Sequence, residues 1–150
     1  MAYIQEANEE PGGGCVFCSI PETEAERVLA RDELAYVVLN KFPYNPGHVL
    51  VVPIRHVGEL EAVTVDENAA LQSLLQRAIV ALKRTAEPGG FNIGLNLGRL
   101  AGAGMPEHLH WHVVPRWGGD TNFVSTVAET RVLPELLADT YRRIKPGFQA

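Results

Sequence analysis

His108-Leu109-His110-Trp111-His112-Val113-Val114-Pro115-Arg116 is the stretch from which both the fold and the site of this chain can be read. Three of the five histidines stand here at alternate positions, separated by apolar residues. Leu109 to Pro115 is apolar and β-branched enough to form a strand. In a strand, residues i, i+2 and i+4 point to one face. His108, His110 and His112 are therefore expected on one side, about 6–7 Å apart, with Leu109, Trp111 and Val113 buried on the other. Such a row can bind a metal, hold phosphate oxygens or supply a nucleophile, because imidazole changes protonation near neutral pH.

Working outward, Val28 to Ala30 and Leu34 to Asn40 read as two strands joined at Arg31-Asp32-Glu33. Asn40 to Gly47, with two prolines and a terminal glycine, is a turn-rich loop. His48 to Pro53 is a third strand. Thr64-Val65-Asp66-Glu67 matches a capping box, and Leu71, Leu74, Leu75, Ala78, Ile79 and Leu82 follow it at helical spacing. Pro88-Gly89-Gly90 ends that helix. Phe91 to Leu97 alternates as a strand, and Gly98 to Pro106 is a loop with three glycines. After the histidine strand, Gly118 to Asn122 is a polar loop, in which Asp120 orders the turn, and a last helix runs around Leu133 to Ile144. Strands adjacent in sequence with one long helix among them predict an α+β fold with a mainly antiparallel five-stranded sheet.

The chain has 150 residues, 46% of them hydrophobic, enough for one domain with a proper core. A net charge of −5 argues against a nucleic-acid binder, which normally presents a basic face. No apolar run approaches bilayer length, and Met1 to Gly14 is an acidic, glycine-rich tail without a secretory h-region. A cytoplasmic protein, with residues 15–150 as its single domain, is the expectation. Cys15 and Cys18 form a Cys-x-x-Cys pair, open to redox, disulfide and metal readings. The supply of histidines favours two ligands of a zinc site.

His110, in the middle of the row, can donate from Nδ1 to a nearby carbonyl, which leaves Nε2 as a free nucleophile at pH 7. Attack on a nucleotide phosphorus would give a covalent phosphoramidate. His112, and His48 on the neighbouring strand, are placed to donate to non-bridging oxygens. The loop Gly102 to Glu107, with Gly104 in it, can bring backbone N–H groups to a phosphate. Arg116 ends the strand, where a phosphate contact and a structural salt bridge are both open. Trp111, opposite the histidines, is expected in core or dimer packing.

These residues resemble the histidine triad (HIT) superfamily of nucleotide hydrolases and transferases. The resemblance is carried by His-x-His-x-His with Pro115-Arg116, by Pro46-Gly47-His48-Val49-Leu50-Val51, by Ile54-Arg55-His56 and by Cys15-Val16-Phe17-Cys18. Glu107 to Asp120, with Asn122-Phe123, is most similar to the bacterial branch of diadenosine tetraphosphate phosphorylase-like proteins. This chain has Ala103-Gly104 where many hydrolase members carry a Gln.

The resemblance implies a HIT-like fold and a covalent nucleotidyl-histidine on His110, with His112 and His48 as further catalytic residues. Asn40 would lie toward the ribose, and Asn96, Gly104 and Arg116 toward the substrate. Cys15, Cys18, His56 and His108 would hold a structural zinc ion, with no organic cofactor. The implied substrate is a nucleotide or dinucleoside polyphosphate, cleaved at the α-phosphate, with inorganic phosphate rather than water as the expected acceptor. Hydrolysis of nucleoside phosphoramidates or other nucleotide conjugates, and a signalling module with incidental catalysis, are the alternatives. A homodimer is also implied, with neither nucleic acid nor membrane as partner.

Overall fold

Five strands, β1 (Val28–Arg31), β2 (Ala35–Leu39), β3 (Val49–Pro53), β4 (Gly90–Gly94) and β5 (Trp111–Arg116), form one antiparallel sheet in the order β1-β2-β3-β5-β4. The computed structural model describes residues 14–120 and 135–149. Among the described residues, three α-helices accompany the sheet: α1 (Val16–Thr23), α2 (Val65–Ala86) and α3 (Leu137–Ile144). The α+β architecture expected from the sequence is the one observed. The expected acidic tail lies outside the described residues except for the exposed Gly14.

Every residue of β2 and β3 is buried, because both faces of the sheet are covered there. Ala35, Val37, Leu39, Val49, Val51 and Val113 join Leu71, Leu74, Leu75, Ala78 and Leu82 of α2 in one core. Tyr36, Val38, Leu50 and Val52 point the other way and meet Ile20 of α1. The Tyr36 hydroxyl donates to the Phe17 carbonyl at 2.7 Å, which pins α1 to the sheet. Ile79, expected in the apolar stripe, is only partly buried at its edge. Trp111 packs against the α2 side of the core, as expected.

Boundaries differ from the periodicity in informative ways. β5 begins at Trp111, so His108 and His110 precede the ladder in an irregular approach. β4 ends at Gly94, which leaves Asn96 in the loop beyond. The last helix begins at Leu137, and its expected first residues, 133 and 134, lie outside the described ones. α1 was not expected. It carries Pro21 inside and no side-chain cap, so neither propensity nor capping announces it.

Gly47 turns the chain into β3 with φ +82, a left-handed conformation that favours glycine. A Cβ there would also press on Leu82 and Pro115 at 3.3 Å. At the C-terminal end Gly147 sits so close to Ala81 that a Cβ would approach its backbone to 2.9 Å. Lys145 donates to the carbonyls of Val28 and Leu29 (3.0 and 2.9 Å), tying this end to β1.

The start of α2 is a complete capping box: Glu67 N–H donates to Thr64 Oγ1, and Thr64 N–H donates to Glu67 Oε2. Arg55 closes a two-pronged ion pair on the same carboxylate at 2.7 and 2.8 Å. That guanidinium first, and the Thr64 N–H second, hold Glu67 down at about 2. The stabilisation is present above the ordinary value near 4.5 and is lost as pH falls toward 2. Thr64→Ala should cost about 1 kcal/mol of stability, read as a lower urea midpoint at unchanged slope. Glu67→Gln should flatten the dependence of that midpoint on pH below 4.5.

Candidate active site and metal centre

The β3–β5 ladder pairs Leu50 with His112 and Val51 with Trp111. This register puts His112 on the α1 side of the sheet, beside His48, the residue just before β3. His48, His108 and His110 are all buried, the first two completely. Burial disfavours the charged ring. It pushes His108, His110 and His112 below the ordinary histidine value, His112 to about 4 with His110 as a second cause. The triad is therefore neutral at pH 7.

Backbone groups decide which nitrogens carry the protons. His110 Nδ1–H donates to the His108 carbonyl at 2.8 Å, leaving Nε2 with its lone pair. The Tyr44 backbone N–H donates to His48 Nδ1 at 3.0 Å, so the His48 proton resides on Nε2. His48 Nε2–H then donates to His112 Nδ1 at 3.0 Å, and His112 carries its own proton on Nε2. That Nε2 is buried and has no hydrogen-bond partner among the described residues. A buried donor without a partner costs about 1–3 kcal/mol, so it fits an acceptor brought by a ligand.

Two aromatic rings that sequence reasoning missed frame the triad. Phe17 lies 4.7 Å from the His110 ring and 5.6 Å from the His108 ring. Tyr44 stacks on His112 at 5.7 Å with the planes 7° apart, and tilts against His48 at 4.7 Å. The available signals were slight: Phe17 lies between the two cysteines, and Tyr44 stands four residues before His48.

Asn40 reaches His48, its Nδ2 3.3 Å from Nδ1, while its Oδ1 accepts from Phe42 N–H at 3.0 Å. Asn96 Nδ2 donates to the Gly102 carbonyl at 3.3 Å and so braces the glycine loop that contains the half-buried Gly104. Arg116 stands apart. It pairs with Gly90, whereas His112 pairs with Gly94, so about 13 Å of strand separates them. Its guanidinium forms a fork on Asp120 at 2.6 and 2.8 Å and also donates to Asn92 Oδ1. Of the two readings open for Arg116, the salt bridge is the one observed here.

On the other side of His108, four ligand atoms converge. His108 Nδ1 is 3.3 Å from Cys15 Sγ and 3.5 Å from Cys18 Sγ, and Cys18 Sγ is 3.4 Å from His56 Nδ1. All four lie within 4.8 Å of one another. A tetrahedral zinc ion with ordinary bond lengths would set sulfur and nitrogen about 3.5 Å apart. His108 Nε2–H donates to the Pro53 carbonyl at 2.9 Å, the outer-shell bond that leaves Nδ1 for a metal. Burial and the adjoining Cys15 push the Cys18 thiol up, a penalty that a cation between the sulfurs would remove. The donor set therefore fits a metal, as the histidine supply suggested.

The HIT domain family model matches residues 22–119, which include every histidine and exclude Cys15, Phe17 and Cys18. The AP-4-A phosphorylase of Mycobacterium tuberculosis is 48% identical over 150 residues, covering 95% of this chain and 77% of that protein. Among solved structures, a zinc-bound histidine triad family protein from Mycobacterium smegmatis is 27% identical with a TM-score of 0.75, over 91% of this chain and 94% of that one. A hypothetical histidine triad nucleotide-binding protein from Sulfolobus tokodaii is 28% identical with a TM-score of 0.73, over 90% and 92%.

The depressed histidines give the site a pH signature. The unfolded chain takes up a proton near the ordinary 6.5, the folded His112 only near 4, so folding stability falls as pH drops between those values. Imidazole ¹⁵N spectra should show His112 as the neutral Nε2–H tautomer at pH 7, with its titration near 4. A titration near 6.5 would contradict the burial and the proton arrangement described.

Proposed function

Because the chain belongs to the HIT domain family, we propose that it is a nucleotidyl-transferring enzyme that cleaves dinucleoside polyphosphates through a covalent His110 intermediate. The observation that carries this reading is the His110 hydrogen bond to the His108 carbonyl, which leaves a neutral ring with its Nε2 lone pair available. His110 Nε2 attacks the α-phosphorus, the bond from phosphorus to the bridging oxygen breaks, and the remaining nucleotide leaves. With diadenosine tetraphosphate the products of this step are adenylylated His110 and ATP.

His112 Nε2–H donates to a non-bridging oxygen as charge gathers there. His48 holds that ring in its donating tautomer. Asn40 lies toward the ribose, while Asn96 and Gly104 shape the loop that approaches the phosphates. Arg116, paired with Asp120, holds the end of β5. An acceptor oxygen then attacks the adenylyl phosphorus and frees His110. Inorganic phosphate yields ADP and water yields AMP. The similarity to AP-4-A phosphorylase favours phosphate.

Cys15, Cys18, His56 and His108 hold a structural zinc ion in this reading, which joins α1 to the approach of β5. The chain works as a homodimer in which β4, an edge strand with Ile93 exposed, and the neighbouring exposed Leu97 and Leu100 lie at the interface. No helix among the described residues is long and apolar enough to cross a membrane, in keeping with a cytoplasmic setting for this substrate.

His110→Ala should lower turnover of diadenosine tetraphosphate by about three orders of magnitude or more, with loss of the acid-labile label that radiolabelled substrate leaves on the wild-type protein. Retention of most activity would sink the covalent mechanism. Product analysis with and without inorganic phosphate decides the acceptor: ADP should appear only with phosphate, and AMP under both conditions would leave a hydrolase. Metal analysis should find stoichiometric zinc in the wild type and little in Cys18→Ser.

A further inference from the structure

The direction of the His48–His112 hydrogen bond depends on a residue that carries no chemistry of its own. Tyr44 lies on the turn-rich loop before β3, half-exposed, and touches both histidines in two different ways. Its backbone N–H occupies His48 Nδ1 and forces the His48 proton to Nε2. Its ring lies nearly parallel to His112, offset with the centroids 5.7 Å apart, and packs beside that imidazole. We propose that Tyr44 is a positioning residue of the relay, its N–H setting the proton order and its ring holding His112 so that Nε2–H faces the reacting phosphate.

The need for the ring follows from what the other contacts leave undone. His112 has one hydrogen bond, from His48 to Nδ1, and its Nε2 has no partner among the described residues. A single bond at one nitrogen does not fix the plane of an imidazole, whose last torsion has a broad, two-fold profile. His110 meets His112 edge-on at 62° and restrains it from one side. Tyr44 supplies the parallel contact that removes the remaining freedom, and a donor aimed at developing charge acts only while its direction is held. The hydroxyl plays no part in this argument, so phenylalanine should serve as well.

The inference rests on the reading of His112 as a phosphate donor, and the test separates the two. Tyr44→Phe and Tyr44→Ala are compared with wild type by steady-state kinetics on diadenosine tetraphosphate and by imidazole ¹⁵N spectra of the free protein. Tyr44→Phe should match wild type in both. Tyr44→Ala should lose about tenfold to a hundredfold in kcat, the range expected of a small misplacement, with KM changed less than about twofold. Its His112 should keep the Nε2–H tautomer, because the backbone N–H at position 44 remains, but the ring signals should broaden as the imidazole loses its single orientation, while the His110 signals and the thermal midpoint stay close to wild type.

A raised KM with intact kcat would make the Tyr44 ring part of the substrate-binding surface and overturn the proposal. So would an unaltered His112 spectrum in Tyr44→Ala, or a Tyr44→Phe variant as impaired as Tyr44→Ala. Should wild type neither turn over the substrate nor label His110, the catalytic reading fails. The spectra then still decide whether Tyr44 holds the ring.

Discussion

The pairing of β3 with β5 is the constraint from which the rest of this molecule follows. Val49, Leu50 and Val51 lie opposite Val113, His112 and Trp111, and this register brings two distant pieces of chain into contact at both ends. At one end His48 meets His112. At the other, where the chain leaves β3, Pro53 and His56 meet His108. A slip of one residue would turn His112 toward α2 and separate both sets. The slip is opposed by burial: β3 is apolar on both faces, and each face has its own partners already in place.

His108 has a particular place in this arrangement because it serves two centres with different atoms. Its ring offers Nδ1 to the cysteine side and gives Nε2–H to Pro53, while its carbonyl accepts the proton-bearing nitrogen of His110. Phe17 spans the same gap, since its ring packs on both imidazoles and its carbonyl is held by Tyr36. A displacement of α1 therefore reaches His110 by two routes, one through backbone and one through packing.

Much of this was legible in the residues. Alternation of histidine and apolar side chains pointed to the candidate site, the capping box located the start of α2 to the residue, and the five strands were all recognised. What escaped had a common character. α1 is held by tertiary contacts from Tyr36, Val38 and Leu50 rather than by propensity, and local pattern does not report such contacts. The proton order depends on the backbone of Tyr44 and His108, and backbone groups are the same in every sequence. Phe17 and Tyr44 act through ring planes that only a register brings together. The ion pair of Arg116 with Asp120 came into view only with the fold, which turns Asp120 back upon it.

The neutrality of the buried rings shapes how the site handles a highly charged ligand. His110 and His112 are uncharged at pH 7, and the donor that His112 presents is a dipole rather than a cation. Interactions between dipoles and charges fall off faster with distance than those between ions, and salt screens them little at contact range. Recognition by these rings is therefore short-ranged and directional. They would exert little pull on the polyphosphate proposed as substrate while it is in solution, and would hold an anion only while it stays in line.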